Sequence, residues 1–198
     1  MKPVIRTFLA LSTSALTASC SLGPAARPPL ATWDFGPAPT ASAAKLSGTV
    51  LVLPVEAPVW LDSPSMLYRL SYADSAEPRV YASSRWIASP ALLLTERLRA
   101  ALAAAGAAVL TPGDGIRATR TLRIELEQFD QVFDSPASSR VALRLRATLV
   151  ASGSLKAQRS FSLSLPAASG DARGGALALA EAAQRGIGEI VAWLATVP

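Results

Sequence analysis

Three stretches of the chain alternate between apolar and polar residues: LRIELE (122–127), LRLRATL (143–149) and FSLSL (161–165). In each stretch every second residue is apolar, and the residues between are arginine, glutamate, threonine or serine. A period of two is the side-chain repeat of a β-strand. Since one face of each strand is apolar and the other polar, we predict an antiparallel sheet with one packed side and one wet side.

Two helices are predicted to cover the packed side. Ser89 and Pro90 are typical of the N-cap and first position of a helix, which we expect to run to about Ala105. A second helix is predicted over residues 174–194, because its apolar residues recur every three or four positions. That apolar stripe consists of Ala176, Ala180, Ala183, Ile187, Ile190 and Leu194.

Shorter strands are predicted before the first helix and after it. They comprise an edge strand at Trp33–Phe35, a buried strand at 48–55, a hairpin of 66–72 and 79–83 with its turn at 73–78, and a brief strand at Val109–Leu110. Strands and helices thus follow one another without a regular βαβ repeat. The predicted fold class is α+β, a mainly antiparallel sheet with two helices packed on one face.

The first nineteen residues are predicted to be a secretory signal peptide. Lys2 and Arg6 form a short positive region, and residues 7–18 are apolar or small. This stretch is short for a bilayer span and no charged stop follows it directly, so a permanent transmembrane helix is not expected. We therefore assign residues 1–19 to a lipoprotein leader.

Cys20 is predicted to be the lipidated first residue of the mature protein. The preceding residues 16–19, Leu-Thr-Ala-Ser, resemble a bacterial lipobox, with Thr17 where leucine is usual. The alternative is an ordinary signal peptide cleaved after Ala18 or Ser19, which would leave a reactive free thiol. Covalent lipid on Cys20 is the only prosthetic group that we expect, and several acyl chains anchor a protein stably where one does not.

The residues that follow Cys20 predict where the domain is held. Ser21 stands where aspartate would resemble an inner-membrane retention signal, so we expect the periplasmic side of the outer membrane of a Gram-negative bacterium. Residues 20–31 are rich in proline and alanine, which predicts a tether. Residues 32–198 are then a single domain.

The composition excludes several classes of function. The 198 residues include no histidine and one cysteine, so the chain has no serine–histidine or cysteine–histidine catalysis, no histidine-bound metal and no internal disulfide. The net charge is +5, and without Lys2 and Arg6 of the leader it is +3. Because the arginines are scattered over strand and helix faces, we predict no nucleic-acid binding.

Acidic and glycine-rich motifs do not suggest an enzyme either. Glu125 and Glu127 share the polar face of one strand and are interpreted as solvated residues. Asp130 and Asp134 bracket an aromatic stretch that we place at a strand end or turn, too sparse in oxygens for calcium. No phosphate-binding glycine loop or nucleophile elbow is present. We therefore predict no catalytic residues, no metal and no bound cofactor.

Residues 58–90 hold most of the large aromatic side chains. Ordinary core and hairpin packing explains such a cluster, and so does a protein-binding surface, where aromatic residues and arginine are enriched. Both interpretations stay open on the sequence. The candidate partner-binding residues are Trp60, Tyr68, Arg69, Tyr81, Arg85 and Trp86.

The order of these motifs resembles the ABC-type transport auxiliary lipoprotein family, which includes the PqiC-type lipoproteins. The similarity spans about residues 31 to 195. It is carried by Trp33-Asp34-Phe35-Gly36-Pro37, with phenylalanine where leucine is more usual, by Leu61-Asp62-x-x-x-Met66-x-Tyr68-Arg69, by Tyr81-x-x-x-Arg85-Trp86-x-x-x-Pro90, and by Glu125, Phe129 and Asp130.

The resemblance implies a non-catalytic lipoprotein that works with an MCE-domain protein and an inner-membrane ABC permease and ATPase. Its role would be to dock or stabilise the periplasmic bridge that moves lipids or other hydrophobic compounds. A homo-oligomer would suit an oligomeric partner, by analogy alone. The alternatives are a lipoprotein that itself carries a lipid or hydrophobic ligand and, less favoured, an envelope assembly lipoprotein.

Overall fold

The computed structural model describes residues 29–38 and 44–197, so the predicted leader, Cys20 and most of the tether lie outside the described residues. The described chain forms eight strands and two α-helices. These are β1 (Ala31–Trp33), β2 (Thr49–Val52), β3 (Ser65–Leu70), β4 (Asp74–Trp86), α1 (Pro90–Ala104), β5 (Ala108–Leu110), a 3-10 turn (Pro112–Asp114), β6 (Arg120–Ser135), β7 (Ser138–Ala151), β8 (Ser154–Pro166) and α2 (Ala172–Thr196).

Strand β6 is the spine of a single mixed sheet. One of its edges pairs antiparallel with β7 along nearly its whole length, and β7 pairs in turn with β8. The alternation in the sequence predicts this three-stranded meander, and its long ladders make the sheet mainly antiparallel, as expected. The predicted α+β class is confirmed.

The second edge of β6 divides between two groups of strands. Its first half pairs in parallel with β2, which continues in parallel to β5. Its second half pairs in parallel with β3, which forms the predicted hairpin with β4, and β1 adds in parallel at the outer edge. The loop between β2 and β3 therefore leaves the sheet at the middle of β6.

The local expectations are met in part. The hairpin and the brief strand form, the latter at Ala108–Leu110, and the edge strand forms at Ala31–Trp33, two residues before its predicted position. The hairpin turn lies at 71–73 rather than 73–78, because Pro78 is accommodated in the part of β4 that extends beyond β1.

The expectation that Asp130 and Asp134 lie at a strand end holds for Asp134, one residue before β6 ends at Ser135, but not for Asp130, which lies buried within the strand. A register shift between Leu126 and Gln128 inserts one residue into β6. The residues that face the helices are therefore even-numbered before the shift and odd-numbered after it, as at Phe129. This change of phase hides the second half of the strand from a search for simple alternation.

The two helices close the core over the sheet. Ser89 caps α1 through a 3.4 Å hydrogen bond from the Leu92 N–H, with Pro90 at the first helical position as predicted. Thr95 joins α1 to the segment that follows β2, because its hydroxyl accepts a 2.8 Å hydrogen bond from the Val55 N–H. The same hydroxyl donates to the Ala91 carbonyl within the helix. Asp171 caps α2 by accepting the Gly174 N–H at 2.8 Å, and this bond lowers the pKa of its carboxyl.

Small residues let α2 lie close to the sheet. The predicted apolar stripe is buried at every position except Ala180, which is half-buried. A Cβ atom at Gly175 would stand 2.0 Å from Oε1 of Gln131, whereas one at Gly188, on the outer face of the same helix, would meet nothing within 4 Å. Close approach to Gln131, not helix propensity, accounts for glycine at position 175.

Replacing Gly175 by alanine is expected to destabilise the protein by about 2 kcal/mol, because the added methyl overpacks a fixed amide. The Gly188→Ala variant is the matched control and should stabilise it by about 0.5–1 kcal/mol through helix propensity alone. Urea unfolding followed by circular dichroism measures both changes. Equal stabilisation by the two substitutions would contradict the close packing of α2.

Candidate partner-binding surface

The structure places the six candidate partner-binding residues in four environments: the core, a polar layer beneath α2, a largely buried ion pair on the opposite side of the strands, and the surface. Trp86 belongs to the core, with 1% of its surface exposed. Its indole packs on Phe35 and Phe129 at centroid distances of 5.6 and 5.4 Å. Trp86 therefore contributes packing, and its ring offers no contact area to a partner in this structure.

Tyr68 and Tyr81 form a stacked pair beneath the start of α2. Their ring centroids are 4.6 Å apart, and the Tyr81 hydroxyl donates a 2.8 Å hydrogen bond to Oε1 of Gln131. Gln131 is fully buried and donates through Nε2 to Ser139 Oγ at 2.8 Å. Burial raises the pKa of Tyr81, and the nearby Tyr68 and Asp171 act in the same direction. Tyr81 thus fixes the amide of Gln131, against which α2 packs at Gly175.

Arg69 pairs with a carboxylate on the other side of the same strands. Its Nε lies 2.7 Å from Oδ2 of Asp130, whose side chain is 3% exposed against 22% for Arg69. Gln128 donates to the other Asp130 oxygen at 3.0 Å, and Arg69 also donates to the Ser75 carbonyl in β4. The pair joins β3, β4 and β6 where the sheet divides.

Trp60 lies at the surface, and the neighbouring Val59, which is not among the six candidates, is exposed beside it. Both occupy the turn between β2 and β3, where the Leu61 and Asp62 N–H groups donate to the Pro58 carbonyl at 2.8 and 3.0 Å. Val59 is 93% exposed and Trp60 52%, whereas Leu61 is buried and anchors the turn. We call Pro58, Val59 and Trp60 the apolar turn.

Arg85 is exposed close to where the apolar turn rejoins the sheet. It lies opposite Ser65 in the β3–β4 ladder, and the adjoining Trp86 N–H donates to the Pro64 carbonyl at 2.8 Å. The loop that carries Trp60 therefore ends beside Arg85. Of the six candidates, Trp60 and Arg85 are the two that are exposed.

A charged cleft of about 410 Å³ adjoins the apolar turn on the open face of the sheet. It is lined by Glu56, Ala57, Pro58, Glu125, Leu126, Glu127 and Arg146. Arg146 lies between Glu125, at 3.6 Å, and Glu127, while Glu56 pairs with Arg123 at 3.2 Å. Hydrogen bonding and attraction from Glu127, then attraction from Glu125, raise the pKa of Arg146. The cleft thus presents fixed, mutually paired charges.

Val59 and Glu56 are the surface residues that the sequence analysis missed. Val59 follows a proline and precedes a tryptophan, and an apolar pair beside proline in a loop is a usable signal for an exposed turn. Glu56 gave no signal, because its pairing with Arg123 depends on the isolated bridge between residues 56 and 125.

Other kinds of site are missing from the residues that the structure describes. Within 29–38 and 44–197, no three histidine, cysteine, aspartate or glutamate side chains group as metal ligands. In the same ranges, neither helix has the length and apolarity that a bilayer crossing requires. What the arrangement offers chemically is contact area: an apolar turn, an exposed arginine and a cleft of paired charges.

A comparison with protein families gives one match, and it spans most of the chain. Residues 34–192 match the model of a family described as the ABC-type transport auxiliary lipoprotein component. The resemblance found in the sequence is thereby confirmed. Among curated proteins, none matches this sequence.

Solved structures share the fold. A DUF330-family protein from Xanthomonas campestris superimposes with a TM-score of 0.73 at 22% identity, covering 83% of this chain and 93% of the other. A second protein, titled only as uncharacterized, gives 0.67 at 18% identity and covers 84% and 99%. At these identities the similarity concerns the fold alone.

Removing Arg69 is expected to cost about 2–3 kcal/mol, because Asp130 would keep a buried charge without its cation. The matched control is Arg140→Ala, which removes an exposed cross-strand pair with Asp134 and should cost less than about 1 kcal/mol. Adding Asp130→Asn to Arg69→Ala should restore part of the loss. Urea midpoints measure all three, and equal effects of Arg69→Ala and Arg140→Ala would refute the buried pair.

Replacing Tyr81 by phenylalanine is expected to cost about 1 kcal/mol at pH 7, through the lost hydrogen bond to Gln131. Since the folded pKa of Tyr81 is raised, its contribution is complete below the ordinary tyrosine value near 10 and declines as pH rises above it. The stability gap between wild type and variant should therefore narrow from pH 9 to pH 11. An unchanged gap in urea unfolding would count against the raised pKa.

Proposed function

The chain belongs to the family of ABC-type transport auxiliary lipoprotein components, and from that membership we propose that it is the non-catalytic, lipid-anchored auxiliary component of an MCE/ABC-type intermembrane transport system. As a lipoprotein component of a transport system, it acts at a membrane. The finer proposal is that it docks or stabilises the periplasmic bridge at the outer membrane, through a covalent lipid on Cys20.

The filled core supports an adaptor over a lipid carrier. A carrier of its own cargo needs an apolar cavity between its layers. Here the apolar stripe of α2 is used against the sheet: Ala183, Ile187 and Ile190 are at most 1% exposed. Leucines of β7 and β8 fill the space at Gly186 as well, since a Cβ atom there would stand 3.2–3.5 Å from Leu143, Leu145 and Leu163. This burial is the observation that carries the proposal.

The apolar turn and Arg85 are the proposed docking surface for the MCE-domain protein. Interfaces concentrate their binding energy in a few tryptophan, tyrosine and arginine residues surrounded by polar groups. Trp60 and Arg85 supply a tryptophan and an arginine. Val59 adds exposed apolar surface: because its side chain stays 93% exposed, it contributes almost no burial to the stability of the folded domain. The charged cleft beside the turn would form the polar rim.

Capture of an MCE-domain protein from the same bacterium by the lipidated full chain in detergent tests the proposal. Wild-type chain is expected to retain the MCE-domain protein. Trp60→Ala is expected to weaken retention at least about tenfold, the loss typical of an interface tryptophan. Leu155→Ser, which removes an exposed apolar side chain on β8, is the matched control and should bind normally.

Each contrary outcome has a separate meaning. No retention by wild-type chain would reject the MCE system. Normal retention by both Trp60→Ala and Arg85→Ala would move the docking surface elsewhere. Stoichiometric phospholipid on the purified protein in native mass spectrometry would favour the carrier.

A further inference from the structure

A shallow apolar groove lies at the outer edge of the sheet, away from the cleft beside the apolar turn. Its volume is about 300 Å³, and β1, the end of β4 and α2 all contribute to it. Ile87 and Leu177 stand at its rim with 64% and 55% of their surfaces exposed. The groove is lined by Thr32, Trp33, Asp34, Phe35, Gly36, Ile87, Leu177 and Ala180.

We propose that this groove and its rim rest on the phospholipid surface that holds the Cys20 anchor. This inference depends on the lipidation of Cys20 that the proposed function includes. It adds a fixed orientation: the β1 edge of the domain faces the bilayer, and the side chains of Ile87 and Leu177 enter the interfacial region of the lipid.

The length of the tether limits which part of the domain can reach the membrane. Eight residues lie between Cys20 and Pro29, and the nine steps of fully extended chain from one to the other span about 30 Å. A compact domain of this size is about 40 Å across. If the pole opposite β1 touched the bilayer, the chain would have to pass around the domain, over about 60 Å, which exceeds its reach.

The apolar side chains are concentrated where the tether enters. Leu30, the second described residue, is exposed and lies two positions before Thr32, which lines the groove. The Ile87 N–H donates to the Trp33 carbonyl at 2.8 Å, so the first strand and the groove rim are joined by the backbone. A membrane contact at this edge therefore needs no slack in the tether.

Apart from the exposed Arg85, which lies opposite Thr32 in the β1–β4 ladder, the charged side chains near the groove balance one another, which indicates mainly apolar attraction. On α2, Leu177 lies one turn from Arg173 and one turn from Glu181. On α1, next to the groove, Arg97 donates to the Gly36 and Pro37 carbonyls, and Glu96 pairs with Arg99 at 2.9 Å. Asp34 accepts the Gly36 N–H at 2.8 Å. Contact with lipid should therefore be insensitive to salt.

Fluorescent labels in the lipidated full chain test this orientation. Cys20 is the only cysteine and its thiol carries the lipid, so Leu177→Cys provides a single site for an environment-sensitive dye. Leu155→Cys is the matched control. Leu155 is exposed, and it lies beside Val150 of β7, which in turn lies beside Thr121 of β6. Thr121 is ten residues along β6 from Gln131, which lies beneath the start of α2. Ten residues of strand place Leu155 about 33 Å from that end of the sheet.

Both proteins are reconstituted into vesicles of phosphatidylethanolamine and phosphatidylglycerol (3:1) that contain doxyl-labelled lipid. The label at 177 is expected to be blue-shifted and quenched at least twofold more than the label at 155. Quenching should be equal in 50 and 500 mM salt, and Ile87→Ser in the Leu177→Cys protein should reduce it about twofold.

Equal quenching at the two sites in protein that floats with the vesicles would overturn the orientation. Quenching that disappears in 500 mM salt would overturn its apolar basis. Protein that fails to float would overturn the Cys20 anchor and with it this inference, whereas capture of the MCE-domain protein in detergent is unaffected by either result.

Discussion

The rest of the structure depends on the pairing of β6 along both of its edges. A sixteen-residue strand presents a long row of backbone donors and acceptors, and each must find a partner when buried. One continuous strand, β7, satisfies the first edge, while β2 and β3 share the second. Val52 lies opposite Leu122 and Tyr68 opposite Gln131, so sixteen steps of chain cover nine positions of β6. The surplus residues between the two shorter strands leave the sheet and form the loop that carries the apolar turn.

The shift of register inside β6 explains how one strand serves two packing environments. Before the shift, leucine and isoleucine side chains fill the core beneath the helices. After it, Phe129 closes the aromatic cluster with Trp86, and Gln131 lies beneath the start of α2. Gln131 is a costly residue to bury. Its amide is satisfied by Tyr81 and Ser139, and the space it occupies requires glycine at position 175.

The same framework separates residues that stabilise the fold from residues that remain available for contact. The aromatic and arginine side chains of the hairpin and of the loop before it divide between the two. Trp86, Tyr68, Tyr81 and Arg69 are used inside the molecule, while Trp60 and Arg85 are exposed. The sequence analysis left core packing and partner binding open for this group, and each explanation applies to part of it. Exposed apolar side chains gather in two places. One is the loop that leaves the sheet at the middle of β6, and the other is the edge of the sheet next to the tether.

The sequence alone determined the strands and helices whose patterns are local. The meander of β6, β7 and β8, the Ser89-Pro90 start of α1 and the stripe of α2 follow from alternation, capping and helical spacing, which depend on neighbours along the chain. The absence of histidine from the sequence excluded histidine-dependent catalysis and histidine-bound metals. Only the tertiary structure decided that β6 continues past its bulge, that Trp86 is buried and Trp60 exposed, and that Arg69 meets Asp130 across 61 positions of sequence. Those outcomes depend on which distant strands share an edge of β6, and no local pattern carries that information.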